Sequence, residues 1–446
     1  VGKGLLKLDI QPLLILAAFY AAIIGKRLGY SYQDMEKGIT ENLSTSLPVI
    51  YILICVGIVI GTWIYSGTVP YLIYLGLKLI SPQLFLVAAF LITAIVSTAT
   101  GTAWGSVATA GLALIGVAAE MGIPLGMAAG AIISGGVFGD KMSPLSDTTN
   151  LAPMVCGVDL FDHIRQMFWT TIPASCVGLI VWFIAGRNLT ISAAHSANIE
   201  ALSNNLSSIY DFNIVLLLPA VIVIVGALLR QPTVPLMLLS SVAAIILGMV
   251  FHGFDFSAGV AACVSGFKVD MVTATSAASA VTNDTIINLL NRGGISSMMT
   301  IVNTIICGYA FAGIVAKIGC LDVILERISH KIDCRWKLIG VTIIASAILV
   351  FTAGVASISI IMVGFLLKDA YARMGLHGAN LSRTLEDAGT MLLPFVPWGA
   401  SCIYYMDLLG VSVSAYAVWC IPCYLCVVFA MIWAISGKGI RYLNKK

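Results

Sequence analysis

Charge is what this sequence has least of. Of its 446 residues only 10% are charged, 24 basic and 21 acidic, while 59% are hydrophobic. A soluble domain needs about 25% charged residues to keep its surface wet. The composition therefore excludes an ordinary water-soluble fold and points to a polytopic membrane protein. A net charge of +3, with no Lys/Arg-rich stripe, excludes a phosphate-backbone interface and a nucleic-acid partner. The same hydrophobicity excludes a disordered chain. Histidine is scarce too: five scattered residues and no His-Glu-x-x-His leave a membrane metalloprotease without support. No nucleophile–base pair is visible, no cofactor is implied, and the chain does not read as an enzyme.

Eleven cysteines do not fill that gap. Cys55, Cys176, Cys263, Cys307 and Cys402 sit inside apolar runs, where cysteine behaves as a small hydrophobe. Cys420, Cys423 and Cys426 are spaced by three along an expected helix, but Trp419, Ile421, Tyr424 and Val427 surround them, with no His or acid. A zinc site needs a full ligand set in polar surroundings, so these are read as packing residues.

A membrane span takes about 20 mostly apolar residues. Such runs cover 11–25, 47–65, 166–185, 213–229, 233–251, 298–316 and 416–436. Three other apolar stretches are interrupted. Residues 83–118 contain Ser97-Thr98-Ala99-Thr100-Gly101-Thr102, and 124–160 contain the run from Gly139 to Asn150. Residues 378–406 contain Glu386-Asp387 and then Pro394-Phe395-Val396-Pro397-Trp398-Gly399. Backbone freed by Gly or Pro at membrane depth survives only where protein or a watery cavity satisfies it, so sites are expected at these breaks. Segments 30–46 and 254–296 are mixed in polarity and are expected at the interface or packed on the bundle. Residues 187–212 are polar and read as an extracytoplasmic linker between a first repeat, 1–186, and a second, 213–446.

The repeat shows when the sequence is slid on itself by 253 residues. Gly101 falls on Gly354, Ser106 on Ser359, Gly136 on Gly389, Pro144 on Pro397 and Gly157 on Gly410. At an offset of 252, Cys55, Gly61 and Gly67 match Cys307, Gly313 and Gly319. Basic residues, which favour cytoplasmic loops, then orient the halves. The loop 66–82 has only Lys78, whereas its counterpart has Arg327, Lys331, Arg335 and Lys337; Arg165 has no basic counterpart in 410–418. With Lys438, Arg441, Lys445 and Lys446 at the end, the pattern fits a cytoplasmic C-terminus and two halves of opposite orientation, as in secondary transporters. Nothing precedes 11–25 to match 213–229, so an upstream helix is expected beyond Val1.

The fold expectation is thus an all-α polytopic membrane protein of two inverted-topology repeats with re-entrant hairpins and discontinuous helices. Its candidate site residues follow. A carboxylate at the bilayer centre is costly and marks a site or an ion pair. Asp140 and Asp147 flank a break beside Ser143, Ser146, Thr148, Thr149 and Asn150, a mixture of oxygen donors that suits a hard cation such as sodium. Asp140, Asp147 and Asn150 are the first choices as sodium ligands. The bland alternatives are an Asp140–Lys141 ion pair and capping of a half-helix by Ser146–Asn150. The hairpin tips supply Thr98, Thr100, Thr102 and Ser106, then Thr352, Ser357 and Ser359; small residues also serve helix packing. The second break has Leu393 and Ala400 where the first has Asp140 and Asp147. It offers Glu386, Asp387, Thr390, Trp398 and Ser401 instead. Adjacent Glu386 and Asp387 suit a proton carrier or pair with Arg383; Trp398 walls a substrate cavity or packs.

The run Gly101-Thr102-Ala103-Trp104-Gly105-Ser106-Val107-Ala108-Thr109, followed by Gly139-Asp140-Lys141-Met142-Ser143-Pro144-Leu145-Ser146-Asp147-Thr148-Thr149-Asn150, resembles the NhaC-type sodium/proton antiporter family. Arg292-Gly293-Gly294-Ile295 and Pro397-Trp398-Gly399 look like the second-half marks of that family. The resemblance covers essentially the whole chain. It implies membership of the ion transporter superfamily, with a scaffold domain that usually dimerises and a transport domain that moves as an elevator. It also implies a bacterial cytoplasmic-membrane exchanger of sodium for protons. The alternative it leaves open is a sodium- or proton-coupled carrier of a small organic acid, of the malate/lactate type, or of an amino acid.

Overall fold

The computed structural model describes residues 10–144, 146–187, 189, 206, 207, 209–229, 231–271, 290–319 and 334–443. Helix dominates them, because a chain this apolar satisfies its backbone internally; the one strand-like pairing is an isolated bridge between Leu376 and Tyr442. The first half runs α1 (Ile10–Arg27), α2 (Tyr32–Tyr65), α3 (Thr68–Leu79), α4 (Phe85–Thr100), α5 (Ala103–Glu120), α6 (Leu125–Met142), α7 (Asp147–Cys156) and α8 (Leu160–Arg187). Then come α9 (Leu218–Leu228), α10 (Thr233–His252), α11 (Phe256–Ser265) and α12 (Ile295–Lys317). The remainder is α13 (Arg335–Ala353), α14 (Ala356–Arg373), α15 (Gly378–Gly389), α16 (Ala400–Leu409), α17 (Val413–Tyr416) and α18 (Ile421–Ser436).

Five described helices, α5, α8, α10, α12 and α13, are long and apolar enough to cross a membrane alone. Two bent pairs add to them: α2 with α3, bent by 73°, and α16 with the turn after it, bent by 88°. Polarity is arranged inside out. Phe19 and Val250 are 65% and 72% exposed, while Lys141, Arg383, Glu386 and Asp387 are fully buried. Broad exposed apolar surface of this kind suits lipid rather than water.

Most expected spans coincide with helices, and two are joined or divided differently. Residues 32–46, expected at the interface or packed on the bundle, are continuous with the following span as the start of the 34-residue α2, set by a capping box between Ser31 and Asp34. The span 416–436 is not one helix. A short 3-10 turn ends at Trp419, Cys420 leaves helical geometry (φ −79°, ψ 53°), and α18 starts at Ile421 with Pro422 in its first turn. Proline has no N–H to continue a helix from the preceding turn. Cys420 is therefore not on the helix that carries Cys423 and Cys426. Most of 187–212, and Arg327 and Lys331, fall outside the described residues.

The 253-residue offset holds for the backbone. Gly101 and Gly354 end α4 and α13 at φ 71° and 72°; Gly122 and Gly375 stand at 69° and 68°, Gly157 and Gly410 at 68° and 69°. Starts of α5 and α14, α6 and α15, and α7 and α16 keep the same spacing. The left-handed conformation is one that only glycine adopts without strain, which is why these matches punctuate both repeats. The repeats interlock: α7 packs on α14 and α15, α8 on α15, and α17 and α18 on α6. A separate group, α1, α2, α10, α11 and α12, packs mainly on itself. Residues 439–443 fold back onto the foot of α15. The His377 N–H donates to the Arg441 carbonyl (2.9 Å), the Leu443 N–H to the Gly375 carbonyl (2.8 Å), and Arg441 pairs with Asp162 (2.9 Å).

Helix α6 lies against α4 with almost no gap. A Cβ on Gly135 would stand 2.1 Å from Thr93 Oγ1 and 2.3 Å from the Phe90 carbonyl oxygen; one on Gly139 would stand 2.4 Å from the Ala94 carbonyl oxygen. Such overpacking costs about 1–3 kcal/mol. Gly135→Val is expected to lower the thermal midpoint of the detergent-purified protein, and an unchanged midpoint would show that this contact is looser than described.

Candidate functional site

Both hairpin tips and both breaks open onto one cavity of about 400 Å³. The first tip, Gly101 to Trp104, is the turn between α4 and α5; Thr102 caps α5 by accepting from the Trp104 N–H (3.2 Å). A π-helical turn, Val107–Gly111, follows in α5; such turns cluster at functional sites. The second tip, Gly354 to Ser357, stands opposite. The first break supplies Asp140, Ser146, Asp147 and Thr148, and the second Thr390, Leu393, Pro394, Ala400 and Ser401. Ile52 of α2 and Tyr309 of α12 close the remaining side. The unwound chain at each tip and break ends one helix and starts another, so carbonyl-rich and amide-rich ends share the wall, the pairing that suits cations and anions respectively.

The walls are unequal. Asp140 and Asp147 line one, and their repeat counterparts Leu393 and Ala400 line the other. The Asp140 carboxylate faces the Ser146 hydroxyl and the Ala103 backbone N–H. Asp147 opens α7 at a position where a negative charge meets the positive helix end. The N-terminus of α16 has no side-chain cap, and Ser401, 5% exposed, lines the cavity there. Trp104 stacks on Tyr404 with ring centroids 4.8 Å apart, and the Tyr404 hydroxyl donates to the Trp104 carbonyl at 2.9 Å.

Of the residues singled out in sequence, Asp140, Ser146, Asp147, Thr148, Thr102, Ser357, Thr390 and Ser401 come together on the cavity wall. Ser143 is buried away from it. Thr149 donates to the Lys141 carbonyl (3.0 Å), and Asn150 to the Pro144 and Ser146 carbonyls (2.8 and 2.7 Å). These two side chains brace the unwound backbone from behind. Thr98 and Thr352 donate to carbonyls of their own helices, Ser106 to the Ala103 carbonyl and Ser359 to the Ser346 carbonyl. The Thr100 side chain is outside the described residues. Trp398 is not on the cavity; its indole N–H donates to the Phe351 carbonyl (2.8 Å). The aromatic wall is instead Trp104 and Tyr405. Trp104 lies within three residues of the tip glycine, which was the available signal.

Glu386 and Asp387 lie one layer behind the cavity. Lys141 does not pair with its neighbour Asp140; it reaches across to Asp387 of the other repeat, both fully buried. The Thr170 hydroxyl donates to the same carboxylate at 2.9 Å, and Arg383 Nε stands 3.6 Å from its second oxygen. Arg383 also donates to the Gly439 carbonyl and does not line the cavity, so it holds no cavity carboxylate. Every residue of α15 from Ala379 to Gly389 is buried, polar ones included. Its polar face is met by α8, where His163 Nδ1 bonds the Ser382 hydroxyl (2.8 Å) and Gln166 donates to Asn380 (3.0 Å). A buried charged network is tolerated only when its members satisfy one another.

Among the described residues no group of three His, Cys, Asp or Glu side chains is placed to hold a metal. Known proteins identify the family. The Na+/H+ antiporter family profile matches residues 135–438. An uncharacterized Na+/H+ antiporter of Haemophilus influenzae is 40% identical over the whole chain and 94% of its own length. The malate-2H+/Na+-lactate antiporter of Bacillus subtilis is 37% identical over 98% of this chain and 91% of its own. The Na+/H+ antiporter NhaC of Alkalihalophilus pseudofirmus is 34% identical over 98% and 92%. On this extent of similarity, running through both tips and both breaks, the chain belongs to the Na+/H+ antiporter family.

Proposed function

We propose that the protein exchanges sodium for protons across the bacterial cytoplasmic membrane, with the cation carried in the cavity between the two tips and two breaks. The observation that carries this reading is the placement of Asp140 and Asp147 on one cavity wall, where intramembrane acids mark ion pathways. Asp140, Asp147, Ser146 and Thr148 supply side-chain oxygens, and the open helix ends supply carbonyls. Ser143, Thr149 and Asn150 hold the break in shape. A carboxylate pair that accepts either ion, and a carrier that moves only when that charge is neutralised, couples the two flows without further machinery.

The repeats 1–186 and 213–446 are of opposite topology in this reading, with the C-terminus cytoplasmic and 187–212 on the other side. The interlocked packing of α6–α8 with α14–α18 supports a two-fold relation. Those helices, with α4, α5 and α13, form a transport domain that slides as an elevator against a scaffold of α1, α2 and α10–α12. The self-packing of the latter group supports the division, and its lipid-exposed face is the surface for a homodimer.

A second reading has its own observation. The cavity is as large as many small-molecule pockets, and its second wall is neutral, with Ser357, Ser401 and the uncapped α16 start. An organic acid seated there with sodium on the acidic wall would make the protein a coupled carrier, as the name of the malate/lactate relative suggests.

In proteoliposomes, an outward sodium gradient is expected to acidify the lumen with no organic solute present; flux that appears only with malate, lactate or an amino acid selects the second reading. Asp147→Asn is expected to cut sodium-dependent proton flux about tenfold or more while leaving the detergent elution profile unchanged. Wild-type flux in that variant removes Asp147 from the cation site.

A further inference from the structure

Of the four buried charges behind the cavity, Lys141, Arg383 and Asp387 are joined to one another by ion pairs. Asp387 takes Lys141 and the Thr170 hydroxyl on one oxygen and faces Arg383 with the other. Asp387 Oδ2, Arg383 Nε and Arg383 Nη2 make no hydrogen bond, but the first two stand as an ion pair 3.6 Å apart, whereas Glu386 is in no ion pair among the described residues. One oxygen accepts from the Thr390 hydroxyl, and the other, fully buried, has no hydrogen-bond partner. Thr390 is at the same time part of the cavity wall. A carboxyl group sealed from water thus stands one hydroxyl away from the chamber.

Building on the sodium/proton reading, but moving the proton off the Asp140–Asp147 pair that was given both ions above, we propose that Glu386 is the proton-binding site of the exchanger, separate from the Asp140–Asp147 cation site and joined to the cavity through Thr390. A proton arriving from cavity water passes to the Thr390 oxygen as that hydroxyl gives its own proton to the Glu386 carboxylate. The product is a neutral carboxylic acid and a regenerated hydroxyl, and release is the reverse. Lys141, Arg383 and Asp387 sum to one positive charge. An ionised Glu386 makes the network neutral, and a protonated Glu386 leaves it at +1. Asp140 is within electrostatic reach of Glu386, so the surplus positive charge opposes sodium beside Asp140. Proton and sodium exclude one another without sharing a ligand.

The neighbours that set this balance are few. Helix α6 brings Asp140 and Lys141, α15 brings Arg383 and Asp387, and α8 brings His163, within reach of Lys141. Tyr371 of α14 faces Arg383, Cys426 of α18 faces Lys141, Asp387 and Arg383, and α7 has Asp147 at its start and Cys156 at its end. Between Leu338 and Ala353, α13 has no titratable side chain.

The test uses purified full-length protein in vesicles of bacterial phospholipid with radioactive sodium. Glu386→Gln is expected to lose pH-gradient-driven sodium uptake by about tenfold or more, keep sodium-for-sodium exchange, and lose the dependence of its sodium KM on pH. Gradient-driven uptake at the wild-type rate, or a sodium KM that still rises on acidification, overturns the proposal. So does loss of both activities in protein that elutes as wild type. If Glu386→Gln does not fold, Thr390→Val decides: reduced gradient-driven uptake with sodium-for-sodium exchange retained at alkaline pH supports the route, and an unaltered pH profile rejects it. Wild-type protein that shows no gradient-driven sodium uptake defeats the sodium/proton reading itself rather than the assignment of Glu386.

Discussion

The ion pair between Lys141 and Asp387 sits where the two repeats are tied together. Each partner lies close before a place where its helix stops, so the bond fixes both breaks relative to each other. Removing either partner would strand a charge with no water to receive it, a penalty of several kcal/mol. That penalty keeps α6 and α15 in register. The register in turn decides which side chains face the cavity: Asp140 on one wall, Thr390 on the other, and Glu386 just behind. The rest of the site depends on this one contact being made.

The two halves share a frame and differ in what they place on it. The two repeats share their turns to within a few degrees at three glycines, so the tips and breaks are built alike. What differs is chemistry at equivalent points. Asp140 and Asp147 became opposed to Leu393 and Ala400 across the same space, and the capping threonine of the first tip, Thr102, has Val355 as its counterpart. A cavity with identical walls would hold charge symmetrically and offer no preferred side. Unequal walls place the acids in one repeat and leave the other free for neutral hydroxyls and helix starts.

Much of this was legible before any coordinate. Glycine, proline and acids inside apolar runs announced the breaks, because a span that continued would have no use for them, and the 253-residue offset located both tips. The family resemblance agrees with the relatives of the chain. Other features left no local trace. The partner of Lys141 is 246 residues away, and neighbouring Asp140 was the natural guess. Helix α15 is buried on all sides although it carries Asn380, Ser382 and Arg383, since α8 brings a second polar face to meet it, and nothing in the sequence of either helix names the other. Trp398 and Trp104 both sit beside tip or break glycines. Only packing decides that the first turns to Phe351 and the second to Tyr404. The hydroxyls of Ser106 and Ser359 match in sequence and in fate, each spent on a nearby carbonyl.

The fold-back of residues 439–443 has a mechanical meaning. Arg441 is bonded at once to His377, Asn380 and Asp162, so this short stretch acts as a strut between the first turn of α8 and the foot of α15. The far end of α15 carries Glu386. Residues 439–443 therefore tie the start of α8 to the helix whose other end stands behind the cavity, so two helices that meet Asp387 and Glu386 are anchored together at a point remote from both.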